Sequence, residues 1–273
     1  MTQAPPARRD RPWQTGPAAL RDALGLFTVL PVRAAPEIGR REAARAVLWL
    51  PVVGALLAVP AAGVLLAVEA GGHSAPRRLL GAALAIGVLA LLTGGLHLDG
   101  LADTADGLGS RRPRDQALAI MHRSDVGPLG VAALVFTVLV QITALATVNP
   151  GWPGGAVLLA AVTGRVAVVL ATGPGTPAAR PDGFGALVAG ATSVRARITA
   201  GAILLGLAAV AGVLTGGPEA ALRGTGAALA GLAAADLVRR GARRRIGGMT
   251  GDVFGAQIEL ATATVLVTLA LTT

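Results

Sequence analysis

The stretch GGLHLDGLADTADG, Gly94 to Gly107, places Asp99, Asp103 and Asp106 within eight residues. An α-helix turns about 100° per residue, so offsets of four and seven from Asp99 bring all three carboxylates to one face. The residues between them are Gly, Leu, Ala and Thr, not the mixed charges of a solvated helix. Three acids this close repel one another unless a cation sits among them. Mg²⁺, with its preference for oxygen ligands, is the expected ion, held by Asp99, Asp103 and Asp106. Mg²⁺ favours one or two carboxylates plus substrate phosphates over a full protein cage, so the metal reading itself implies a diphosphate substrate.

Two further stretches carry groups suited to that chemistry. After Arg111, Arg112 and Arg114, the run DQALAIMHR predicts a helix ending near Arg123, Ser124 and Asp125. Arg123 is placed to neutralise phosphate oxygens during transfer. Arg111 is either a second phosphate contact or an anchor at the membrane edge. Asp125 is a further ligand or a general base, with His97 or Asp106 as the alternative base. The second stretch is RRRIGGMTGDVFGA, Arg243 to Ala256, whose glycines at 247, 248, 251 and 255 let the backbone approach a ligand. Thr250 or Asp252 either caps the last helix or serves the site, Asp252 as a further metal ligand beside Asp99 and Asp103. Gly94, Gly95, Gly248 and Thr250 are the expected backbone and hydroxyl contacts to substrate.

The elements that hold these groups are set by composition. Of 273 residues, 53% are hydrophobic and only 14% charged, with a mean hydropathy of +0.65. Soluble domains carry about 25% charged residues. The chain is therefore read as an all-α, polytopic membrane bundle. There is no Cys, which excludes disulfide and thiol chemistry. All 24 basic residues are Arg, and the net charge is +9. Nucleic acid is not the expected partner, because three Trp and four Phe offer little stacking surface and the Arg residues lie between apolar spans.

Residues 1–17 read as a disordered polar tail with no signal peptide, and 18–273 as one membrane-embedded catalytic domain. An interfacial helix is expected over 18–32, stopped by Pro31. Seven spans follow, near 46–68, 79–97, 128–148, 155–172, 198–216, 224–238 and 253–272. With seven spans, the N-terminal segment and the loops 98–127, 173–197 and 239–251 share one side and hold 20 of the 24 Arg. The positive-inside rule makes that side cytoplasmic, in a multi-pass protein of the plasma membrane with its site facing the cytoplasm. Arg165 and Glu259 fall within spans, where charges are costly, and a pairing across helices is expected.

FTVLPV at 27–32, GGLHLDGLADTADGL at 94–108, ALAIMHRSDVGPLGVAAL at 117–134 and RRIGGMTGDVFGAQIEL at 244–260 together resemble the cobalamin synthase family, the adenosylcobinamide-GDP ribazoletransferases. The resemblance runs in order from about residue 20 to the end. Many members have Lys-Asp where this chain has His122 and Arg123. The resemblance implies a Mg²⁺-dependent transfer that joins adenosylcobinamide-GDP to α-ribazole or its 5′-phosphate and releases GMP. The implied partners are these small molecules and membrane lipids, with a homo-oligomer or association with other corrinoid-pathway proteins left open. The runner-up is a CDP-alcohol phosphotransferase, whose Asp-x-x-Asp-Gly-x-x-Ala-Arg signature is echoed by Asp103, Asp106, Gly107, Ser110 and Arg111 but lacks its second half here. A transporter is the third reading, disfavoured because the acids cluster at a membrane edge and no inverted repeat is visible.

Overall fold

The computed structural model describes residues 16–32, 37–148 and 151–272. The expected tail over 1–17 lies outside them except for Gly16 and Pro17, and Pro17 already begins a helix. Ten helices form among the described residues: α1 (Pro17–Phe27), α2 (Arg40–Glu69), α3 (Ala75–Leu92), α4 (Leu96–Gly109), α5 (Arg114–Ile120), α6 (Pro128–Thr147), α7 (Pro153–Ala171), α8 (Gly183–Val188), α9 (Val194–Ile246) and α10 (Gly251–Thr272). Pro17, Pro128 and Pro153 open α1, α6 and α7, where the missing N–H has no intrahelical partner to lose. α1 ends at Phe27, shorter than the expected 18–32, because the Thr28 backbone turns extended and its hydroxyl closes on the Leu24 carbonyl at 2.6 Å.

Six helices, α2, α3, α6, α7, α9 and α10, are long and apolar enough to cross a membrane. α9 is broken at Gly216 and Gly217, the latter at φ +75°. Its two arms fold back on each other: a Cβ on Gly224 would lie 3.5 Å from the Ala208 carbonyl oxygen, and Gly212 abuts the Ala221 backbone. The six helices thus supply about seven passes, as the apolar pattern predicts. α7 lies at the centre, 72% of its apolar window buried, against α2, α9 and α10. Small residues permit this closeness, since a Cβ on Gly54 of α2 would come within 2.9 Å of the Ala161 carbonyl of α7.

One boundary departs from expectation in a way that shapes the site. The span expected over 79–97 stops at Leu92, and the Asp-bearing helix is a separate element. Gly94 and Gly95 take φ of +60° and +74°. Two left-handed residues in succession cannot continue a right-handed helix, and only glycine adopts them without penalty. The Leu92 carbonyl freed by the break accepts from the Val29 amide at 2.9 Å.

Arg165 and Glu259 also differ from expectation. Among the described residues they do not form a direct ion pair but take separate partners around a shared cavity of about 20 Å³. Arg165 donates to the Ala161 carbonyl and lies 3.3 Å from His97 Nδ1, while Glu259 accepts from Gln141 Nε2 at 2.8 Å.

The Arg-rich loops meet at one end of the bundle. Ala179 N donates to Met249 O and Met249 N to Pro177 O, both at 2.9 Å, in a short parallel bridge. Arg114 ties the start of α5 to both segments of that bridge region, donating to the carbonyls of Ile246, the last residue of α9, and Ala179 at 2.9 and 2.7 Å. Arg40, at the start of α2, donates to the carbonyls of Ala186 and Ala189 after α8 begins.

Candidate active site

Glycine brings the acids together. α4 crosses the start of α10 at Gly100, where a Cβ would lie 2.7 Å from the Asp252 carbonyl oxygen and 2.9 Å from its Cα. Three residues along α10, a Cβ on Gly255 would lie 3.0 Å from the His97 carbonyl. Asp252, in the first turn of α10, therefore stands beside Asp99 and Asp103 of α4. Thr250 fixes its orientation: the hydroxyl accepts from Val253 N at 3.3 Å, capping α10, and donates to Asp252 Oδ2 at 3.1 Å.

The crowding of charge is felt most at Asp103. Partial burial, then the carboxylates of Asp99, Asp252 and Asp106, push its carboxyl from 3.8 up to about 7, with Arg180 opposing. Arg180 is the cation of the cluster. Its guanidinium donates to the Leu118 carbonyl at 2.7 Å and reaches His122 Nδ1 at 3.4 Å, which anchors it over α5. Arg180 falls outside every motif in the sequence. Its only signal was its place in the 173–197 loop, on the same side as the Asp string.

No three His, Asp or Glu side chains among the described residues converge tightly enough to hold a metal by themselves. The donor set nevertheless fits Mg²⁺ of the kind that substrate phosphates and water complete: oxygen-only ligands, uncompensated negative charge and an open approach. It does not fit a closed protein cage.

The other predicted residues divide into those at this cluster and those committed elsewhere. Asp106 lies on the same face of α4, but its carboxylate accepts from Gly127 N at 2.7 Å and Gly130 N at 2.9 Å. It thus caps the N-terminus of α6 from a neighbouring helix, where a negative charge also meets the positive end of the helix dipole. Asp106→Ala is expected to destabilise the fold by about 1–2 kcal/mol. Asp106→Asn, which keeps one acceptor oxygen, should lose less. Thermal unfolding in detergent checks this; Asp106→Ala melting like the parent would remove the capping role.

Arg123 and Asp125 form a bidentate pair, Nε to Oδ1 at 2.9 Å and Nη2 to Oδ2 at 2.8 Å, exposed in the loop before α6. The Arg123 hydrogen bonds hold the Asp125 carboxyl below its ordinary range, which suits it poorly to accept a proton at neutral pH. His97 is only 4% exposed and sits on the far side of α4 from Asp99 and Asp106, against Arg165 and the backbone of α10. It is not brought to the acidic face. Gly248 is buried, and a Cβ there would lie 2.5 Å from the Pro177 carbonyl, so this glycine serves the bridge between loops. Arg111 is exposed at φ +54°, just past the end of α4. Gly94 and Gly95 line a crevice that also touches Asp99.

Residues 19–270 match the family described as CobS, cobalamin-5-phosphate synthase. A protein of Frankia casuarinae named adenosylcobinamide-GDP ribazoletransferase is 42% identical over 261 residues, covering 92% of this chain and 94% of its own length. Proteins of the same name from Pseudomonas entomophila and Bradyrhizobium diazoefficiens are 40% and 39% identical, over 91% and 88% of this chain and 97% and 88% of their own. No solved structure matches the chain. A bundle whose acidic face is assembled from α4 and α10, matched across nearly its whole length, places the chain in the cobalamin-5-phosphate synthase family.

Proposed function

We propose that the chain is an adenosylcobinamide-GDP ribazoletransferase, joining adenosylcobinamide-GDP to α-ribazole or its 5′-phosphate and releasing GMP. The observation that carries this reading is the convergence of Asp99, Asp103 and Asp252, from two helices, beside Arg180 at the Arg-rich end of a membrane bundle. Such a site suits a substrate with a diphosphate. Asp99, Asp103 and Asp252 would hold Mg²⁺ only together with substrate phosphate oxygens and water, and the ion when bound offsets negative charge on those oxygens. Arg180 supplies positive charge at the cluster, and Arg123 in the adjoining loop would have to leave its pair with Asp125 to add to it. Asp99 orients the attacking ribazole hydroxyl by accepting its hydrogen bond. The new bond forms between that hydroxyl oxygen and the phosphorus borne by cobinamide. The bond from that phosphorus to the oxygen of GMP breaks, and the hydroxyl proton passes by way of the carboxylate to solvent. Positioning of the two reactants does most of the work.

Membrane lipids surround the bundle, and the Arg excess at the active end is the basis for placing that end in the cytoplasm and the protein in the plasma membrane. The purified chain in detergent, given adenosylcobinamide-GDP, α-ribazole and Mg²⁺, is expected to release GMP, and to stop when any one of the three is withheld. CMP released from a CDP-alcohol, with no GMP from the corrinoid, would overturn the reading.

A further inference from the structure

A crevice of about 550 Å³ lies between the end of α1, the α3–α4 break and the start of α6. Asp99 lines it, so the crevice opens directly onto the acidic cluster. Leu26, Phe27, Leu96, Val126 and Leu134 give it apolar walls. Apart from the Asp99 carboxylate at its inner end, the side-chain hydroxyls and glycine amides along it are already committed. Thr28 Oγ1 donates to the Leu24 carbonyl and accepts from Leu30 N, and Thr93 Oγ1 donates to the Leu89 carbonyl. The amides of Gly94 and Gly95 are spent on the Leu91 and Ala90 carbonyls, at 3.0 and 2.8 Å.

The reaction proposed above brings three ring systems to the site, and the crevice discriminates among them. A corrin macrocycle is fringed with amide arms whose donors and acceptors these apolar walls would leave unpaired. Guanine presents two acceptors, O6 and N7, that would lose water and face spent donors. For its two donor groups, N1–H and the 2-amino group, the only lining side-chain carboxylate is Asp99, already given to the acidic cluster and the attacking hydroxyl. A flat, alkyl-substituted bicyclic base has little to lose on leaving water and matches an apolar slot with an aromatic wall. We infer that this crevice seats the base of the ribazole, leaving its ribose hydroxyl at Asp99 beside the acidic cluster. The inference rests on the reaction proposed above, and it makes α1, the short helix outside the spans, one wall of a substrate site.

The test is steady-state kinetics of GMP release with each substrate varied in turn. Val126 is exposed in the loop before α6, so Val126→Trp narrows the crevice without disturbing a packed helix. It is expected to raise KM for α-ribazole about tenfold or more and leave KM for adenosylcobinamide-GDP within about twofold. Leu134→Ala widens the slot and should shift kcat/KM toward a riboside of a bulkier, three-ring base. A parent chain that releases no GMP fails the reaction reading itself. With an active parent, three results overturn the crevice assignment alone: Val126→Trp raising KM for the cobinamide substrate, Val126→Trp moving neither KM, or Leu134→Ala leaving base preference unchanged.

Discussion

Asp103→Asn is expected to lower GMP release by about 10³-fold while making the metal-free protein more resistant to unfolding. Both effects have one cause. Asp103 stands among the carboxylates of Asp99, Asp252 and Asp106, and its carboxyl is raised to about 7, by burial first and by those charges next. In the unfolded chain it returns to about 3.8, its ordinary value. Between these two values the folded state binds more protons than the unfolded one. Stability of the metal-free protein therefore falls as pH rises from about 4 to about 7. The neutral amide removes that slope. Mg²⁺ acts in the opposite sense, since it needs the carboxylate and binding must expel the proton. Apparent Mg²⁺ affinity of the parent should weaken as pH drops below about 7, and much less so in Asp103→Asn. Unfolding curves with and without Mg²⁺ across about pH 5 to 8, paired with GMP release, read all of this. An Asp103→Asn protein with parental Mg²⁺ dependence would remove Asp103 from the metal site.

The sequence was legible wherever a local pattern carried the information. Apolar run lengths located the passes, and a spacing of four and seven put Asp99, Asp103 and Asp106 on one face of a helix that did form. Hydropathy failed where the sign of φ decided. Gly94–Gly95 reads as part of an apolar span, yet two left-handed residues end α3 and begin α4 in a new direction. Most of what the residues could not reveal is contact between distant segments. Asp106 was indistinguishable from its two neighbours on α4 until Gly127 and Gly130 came within hydrogen-bonding distance. Arg180 looked like one positive loop residue among many. Only the bridge from Ala178 to Met249 and the anchor on Leu118 turn it toward Asp103 and Asp252. His97 lies two residues from Asp99 in sequence, but the helix carries it to the opposite side, against Arg165. Residue type and spacing thus named the acids, and backbone sterics decided which of them meet.

The strongest test of those sterics is the smallest substitution available, Gly100→Ala. The added methyl would lie 2.7 Å from the Asp252 carbonyl oxygen and 2.9 Å from its Cα. Both obstacles are backbone, so neither can rotate away. To restore ordinary contact, α4 and α10 must separate by roughly half an ångström or more. A packed interface resists such a shift, and the expected loss of stability is about 1–3 kcal/mol. The same movement draws Asp99 and Asp103 away from Asp252, and a misplacement of this order is expected to reduce turnover about 10²-fold. Gly255→Ala should act in the same direction but less, since its methyl would stand 3.0 Å from the His97 carbonyl. Gly63 and Gly87 provide the controls: both are helical, and nothing lies within 4 Å of a Cβ at either. Alanine there should leave turnover intact and stability equal or slightly higher, because alanine restricts the unfolded chain more than glycine does. The expected order of damage is therefore Gly100, then Gly255, then neither control, read by thermal unfolding and Mg²⁺-dependent GMP release on the same preparations. If Gly100→Ala matched Gly87→Ala in both measurements, the close crossing of α4 and α10 would not be what holds the acids together.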